Sequence, residues 1–462
     1  MAFDPIVAEI RFGCGLSPSV SAPVSVSQKL SLLTGPDHIA VQFPIPAFAE
    51  FHPWMVEKHE LFQVRRKNRG TETAAKARKD IKLLQKHVRR EQMKWLGMAM
   101  LRRTYTGDGL RERLAFFWAD HFTAVGKNGL LRRATSPYVE EAIRPHLTGK
   151  FADMLVATVT QPLMLHYLDQ QQSVGPNSDK AMRRRGKAGL NENLARELLE
   201  LHTLGVDGPY DQQDVRQLAE LLTGLTYHPR NGFTFRKDMA EPGAETVLGR
   251  AYGGAKQAQL GDVIAALHDI ARHPSTAANI AQKLATHFVS DTPDAGLVAD
   301  LTAVFRESEG DLLAVYRVLL EHPKAWNPAG GNVKQPVDFI GSSMRALAIE
   351  PAKIPLRDER EMRNQFVTPM VLMGQPWERP GGPDGWPEDD ADWVTPQRIA
   401  ARIEWAMTMP TVLRPDLPDP RDFVEVALGG AAPEVVRFAA ASAETRADGI
   451  GLVLASPAFQ RM

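Results

Sequence analysis

Apolar residues recur at intervals of three and four along most of this 462-residue chain, and no stretch alternates strand with helix. Leu194, Leu198 and Leu201 share one helix face, as do Val298, Ala299 and Ala303, and then Val333, Val337, Ile340 and Met344. A chain patterned this way buries helix faces against one another, and a Rossmann or barrel sheet has no strands to draw on. Punctuation agrees: Gly205 follows a helix ending at Leu204, Asp207-Gly208-Pro209 forms a turn, and Asp211 stands at an N-cap three residues before Asp214. His273-Pro274-Ser275 and His322-Pro323 mark further helix boundaries.

The best strand signal is a hairpin pairing Phe233-Thr234-Phe235 with Thr246-Val247-Leu248 across Glu241-Pro242-Gly243. The expected fold is therefore all-α: a large multi-helix assembly with a small β-hairpin insertion at about 232–250. It forms one domain over 1–462, with possible sub-units 1–170 and 190–462. No internal repeat of solenoid period is present.

Lys+Arg and Asp+Glu both number 55, so no global field draws the chain to nucleic acid. The single cysteine, Cys14, excludes an intramolecular disulfide and a cysteine-rich zinc site. No apolar run is long enough for membrane insertion. Met1-Ala2-Phe3-Asp4-Pro5 shows no basic region leading into an apolar stretch, so a cytoplasmic location is expected; the alternative is periplasmic, by co-export with a partner. Two stretches stand apart. From Arg65 to Arg103 the chain is basic and helical; from Gly374 to Pro396 it is an irregular loop rich in Gly, Pro, acid and tryptophan (Trp377, Trp386, Trp393). The tryptophans argue that this loop packs back on the helices as one wall of a cleft.

The densest polar segment is Asn191-Glu192-Asn193-Leu194-Ala195-Arg196-Glu197-Leu198-Leu199-Glu200-Leu201-His202. At the helical angle Glu192, Arg196 and Glu200 form one stripe with Asn193 and Glu197 beside it, while His202 turns inward among leucines. The simplest reading is a solvated face of ion pairs and one core histidine. The sharper reading is a ligand-bearing face. Phe116-Phe117-Trp118-Ala119-Asp120-His121-Phe122 favours the sharper one, because an acid and a histidine inside an aromatic run are drawn into the interior, where polar groups need partners. His166 and Asp169, about one turn apart, are a third candidate. No segment carries a zinc-protease, di-iron, phosphate-loop or Gly-x-Ser-x-Gly pattern.

Taken together, the Phe116–Phe122 run, Tyr167-Leu168-Asp169, the segment from Asn191 to Val206, Leu222-Thr223-Gly224, Gly374-Gln375-Pro376 and Gly385-Trp386-Pro387 resemble the bacterial family catalogued as domain of unknown function 1800. The resemblance runs from Arg11-Phe12-Gly13 to Leu454–Gln460. It implies no established activity. It does imply a genomic neighbour, an exported sulfatase-like protein of another uncharacterised family. The chain departs from the family's pattern in lacking an export signal, and at Lys237-Asp238, where a His-Asp pair is common.

Two function classes follow. One is an accessory or interaction protein acting with the sulfatase-like partner in envelope or secretion-related processes. The other is a hydrolase-like, metal-assisted enzyme built on two facing helices. In that reading the catalytic candidates are Asp120, His121, Arg196, Glu197 and His202; Asn191, Asn193 and Trp386 would bind substrate; and Asp120, His121, Asp169, Glu192 and Glu197 would ligate a divalent metal. Arg196 is expected to pair with a carboxylate of the aromatic segment.

Overall fold

Helix follows helix through most of the chain in its computed structural model, which describes residues 3–183, 189–254, 258–327, 331–354 and 357–462. The longest helix, Glu72–Tyr105, organises the rest. Thr71 caps it by accepting from the backbone N–H of Ala74. In its first half Ala74, Ala77, Ile81, Leu84 and Val88 form one buried stripe, against which the helix Phe48–Lys67 packs antiparallel. In its second half Trp95, Leu96, Gly97, Met100 and Leu101 are all buried, because the helix there passes between two apolar cores.

The first core runs from Ala8 and Phe12 to Trp326; the second gathers Leu96, Met100 and Leu101 with residues from Val337 to Phe459. A division at 170–190 cuts through the first core, since Leu163, Met164 and Leu165 share it with Leu194, Ala195 and Leu198. Between the cores, Asp338 on the helix Pro336–Ala346 accepts from both Arg103 and Arg113. This buried ion triad ties three helices together.

Two small antiparallel sheets are present among the described residues. Strand β1 (Leu225–His228) pairs with β2 (Gly232–Phe235), and β3 (Ala244–Val247) with β4 (Arg250–Gly253). The expected pairing of Phe233–Phe235 with Thr246–Leu248 is therefore corrected: each segment pairs with its nearer neighbour. Local turns decide this. Leu248 (φ 51°) and Gly249 (φ 76°) make a two-residue hairpin loop, the geometry that matches strand twist and closes the shortest connection.

Candidate functional site

The helix Gly109–His121 starts at Asp108, whose side chain accepts from the N–H of Arg111. It buries Phe117 and Trp118, and Trp118 Nε1 donates to the Tyr316 hydroxyl at 2.6 Å. That anchoring fixes the last turn, which carries Asp120. Both carboxylate oxygens of Asp120 accept from the backbone N–H of Trp386, at 2.9 and 3.1 Å. The preceding residue, Gly385, has φ +83°, and a Cβ there would sit 2.7 Å from each Asp120 oxygen. Glycine is thus required twice, for backbone conformation and for close approach. Burial, reinforced by Glu388, holds the Asp120 carboxyl well above the usual range; the Trp386 N–H and Lys283 pull the other way.

Across the same loop lies Glu378, a non-glycine residue at φ +54°. Its Oε1 accepts from the Ser136 hydroxyl and its Oε2 from Gln92 Nε2 at 3.4 Å. Gln92 Oε1 in turn accepts from Arg133 at 2.6 Å. Burial pushes the Glu378 carboxyl up to about 7 despite these donors. A left-handed backbone at an acid supported only by neutral donors is the kind of local cost found at functional sites.

Asp120 and Glu378 line one cavity of about 130 Å³, together with Thr123, Ser136, Trp377 and Trp386. Much of the remaining wall is apolar, including Phe116, Val139, Val337 and Met370. The arginines at its margin are already paired: Arg102 with Glu140 at 2.6 Å, Arg103 with Asp338, and Arg144 with Glu112 and Asp37 at 2.5 Å each. Among the described residues, neither Asp120 nor Glu378 has a Lys or Arg nitrogen within ion-pair distance. One wall includes the start of a π-helical turn, Val139–Ile143, a backbone irregularity frequent at functional sites.

The other predicted residues distribute as follows. His121 Nε2 lies 3.1 Å from the carbonyl oxygen of His202, so it carries the proton and donates, while Nδ1 is buried without a partner. Burial holds this ring well below the ordinary histidine range. His202 ends a π-helical turn, Leu198–His202, with its ring 6.0 Å from that of His121; both its nitrogens are unpartnered, and burial lowers it to about 3. Glu197 is half-buried and raised by burial, then by Glu200 and Asp384.

Arg196 does not reach the aromatic segment. It stays on its own face, 3.1 Å from Glu200 and 3.7 Å from Glu192, because a ladder at i±4 needs no rearrangement to form. Asn191 caps locally, accepting from Asn193 N and donating to Leu168 O, and Asn193 is exposed. Asp169 pairs with Lys127 at 2.6 Å on the surface. Among the described residues no group of three or more His, Cys, Asp or Glu side chains is placed to hold a metal.

Sequence reasoning missed Glu378, Ser136 and Gln92. Glu378 follows Gly374-Gln375-Pro376-Trp377, so an acid beside a family-distinctive stretch was an available signal; Ser136 and Gln92 carried none. It also missed a buried relay. Glu388 accepts from His287 Nδ1 at 2.8 Å, and His287 Nε2 accepts from Arg113, which holds Asp338. Arg113 thereby fixes the His287 tautomer.

Fold and cavity together define a helical protein with a cavity that holds two carboxyls outside any ion pair among the described residues, walled in part by an irregular, tryptophan-bearing loop. Residues 20–461 match the model of the family described as protein of unknown function (DUF1800), and the chain belongs to that family. No curated protein and no solved structure matches it.

Proposed function

We propose that this cavity is the active site of a hydrolase-like enzyme acting on a small, largely uncharged substrate, one carboxyl taking the proton of the attacking hydroxyl and the other giving a proton to the leaving group as the substrate bond breaks. The observation that carries the reading is that Asp120 and Glu378 face one chamber and neither is ion-paired there, while the arginines around them are. Asp120, whose carboxyl burial raises, suits a general acid; Glu378, raised by burial to about 7, suits a general base. The group it would deprotonate is the Ser136 hydroxyl, or a water in its place. Apolar walls favour uncharged substrates with an ester, amide or glycosidic oxygen near the acids. The test is turnover of chromogenic esters, anilides and glycosides by purified protein. D120N and E378Q should each lower turnover about a hundredfold or more while still unfolding cooperatively. Equal turnover in wild type and both variants would refute the reading.

A second reading, an accessory role beside the sulfatase-like neighbour, is supported by the helix Glu434–Ser442. There Val435 and Phe438, one turn apart, are 72% and 70% exposed, an apolar pair suited to a protein partner. No helix among the described residues is long and apolar enough to cross a membrane. On this reading the chain stays cytoplasmic when expressed alone and reaches the periplasm only with the neighbour. Cell fractionation with and without that neighbour tests it, and V435D/F438D should abolish co-purification of the pair.

A further inference from the structure

A local charge asymmetry stands out in a chain whose charges otherwise balance. Residues 65–90 contain eleven Lys and Arg against two acids, Glu72 and Asp80. They occupy the arm formed where helix Phe48–Lys67 turns into helix Glu72–Tyr105. On the second helix the stripe Ala74, Ala77, Ile81, Leu84 and Val88 is buried. Advancing at about 100° per residue, Arg78, Lys79, Lys82, Lys86 and Arg90 fall within one arc of roughly 120° on the side away from that stripe. All five are exposed, and among the described residues none has an acid within ion-pair distance. At the turn Arg66, Lys67 and Arg69 extend the same charge. Phe62, Val64 and Leu83 are apolar side chains left 43%, 37% and 54% exposed on the arm.

We propose that this arm docks peripherally on an anionic phospholipid surface through the outer face of the Glu72–Tyr105 helix. A straight row of unpaired cations suits a flat, laterally mobile layer of negative headgroups, and scattered exposed apolar side chains gain a place at the acyl boundary. Nucleic acid fits less well. Its single-stranded forms are held by open aromatic faces, and the exposed aromatic of the arm, Phe62, already has the Arg65 guanidinium over its ring at 4.9 Å. The inference is independent of the cavity chemistry, which lies at the other end of the same helix and uses none of these residues.

The test is co-sedimentation of the full chain with vesicles. Binding is expected to phosphatidylglycerol–phosphatidylcholine mixtures and not to phosphatidylcholine alone, and it should disappear between about 0.05 M and about 0.5 M salt. The variant K79Q/K82Q/K86Q, altered only at exposed positions, should bind about a hundredfold more weakly. R272Q/R317Q/K324Q, which removes equal charge elsewhere, should bind as wild type. No binding to anionic vesicles, equal losses in the two triple variants, or tighter binding to duplex DNA or single-stranded RNA at the same salt would each overturn the proposal.

Discussion

Gly385 brings its backbone so close to Asp120 that a single added methyl would stand 2.7 Å from both carboxylate oxygens. The loop residue and the helix residue, 265 positions apart, are therefore fitted to each other. G385A adds a side chain at φ +83° and breaks the Trp386 N–H contacts. A stability loss of about 1–3 kcal/mol is expected, with weaker ligand binding in the cavity. Urea denaturation reads the first; an unchanged midpoint would show that the approach is not fixed.

Glu378 should make stability depend on pH between about 4.5 and 7. Its folded carboxyl is raised to about 7, so the folded state holds the proton more tightly than the unfolded chain does. Stability then falls as pH rises through that window and levels off above it, by something on the order of 3 kcal/mol. E378Q removes the ionising group. Its stability should change less than wild type between pH 5 and pH 8, and parallel pH curves would contradict the assignment.

Asp338 behaves oppositely. Arg113 and Arg103 outweigh its burial and hold it at about 2, so its contribution is fully present above about 4 and is lost as pH falls toward 2. D338N strands two buried guanidiniums. Removing one partner of a buried ion group costs about 3–5 kcal/mol. Loss of that size in chemical denaturation at pH 7 is expected, and a cost below about 1 kcal/mol would mean that the arginines find other partners.

His202 offers a separation of structure from catalysis. Both ring nitrogens are buried without partners, and burial lowers the ring to about 3. The unfolded chain takes up the proton first, so this histidine costs stability as pH drops below about 6.5. H202L should raise the thermal midpoint, more at pH 5 than at pH 7.5, and leave turnover intact. Lost turnover in a stably folded H202L would place the ring in the chemistry.

Much of this architecture was legible in the residues. The three-and-four periodicity is a local property, and it specifies helices because each can bury only one face. The ion ladder Glu192–Arg196–Glu200 was legible for the same reason, being set by spacing within one segment. The inward turn of His202 followed from its place among leucines. The tryptophans of the 374–396 loop signalled that it folds back, and Trp393 is indeed buried while Trp377 and Trp386 line the cavity.

What only tertiary structure decided is which distant groups meet. Ser136 and Gln92 have no local pattern, yet packing brings both to Glu378. Arg196 and Asp120 looked like partners by chemistry, but the arginine was satisfied by Glu192 and Glu200 at i±4 and by Gln212 on the next helix, and the carboxylate by a backbone N–H from the loop. The two hairpins were settled by turn geometry that outcompeted a longer closure. Sequence periodicity determines faces, because neighbours along a helix are fixed by its pitch. The partners of a buried polar group depend on which faces are pressed together, and that is set by the packing of the whole chain.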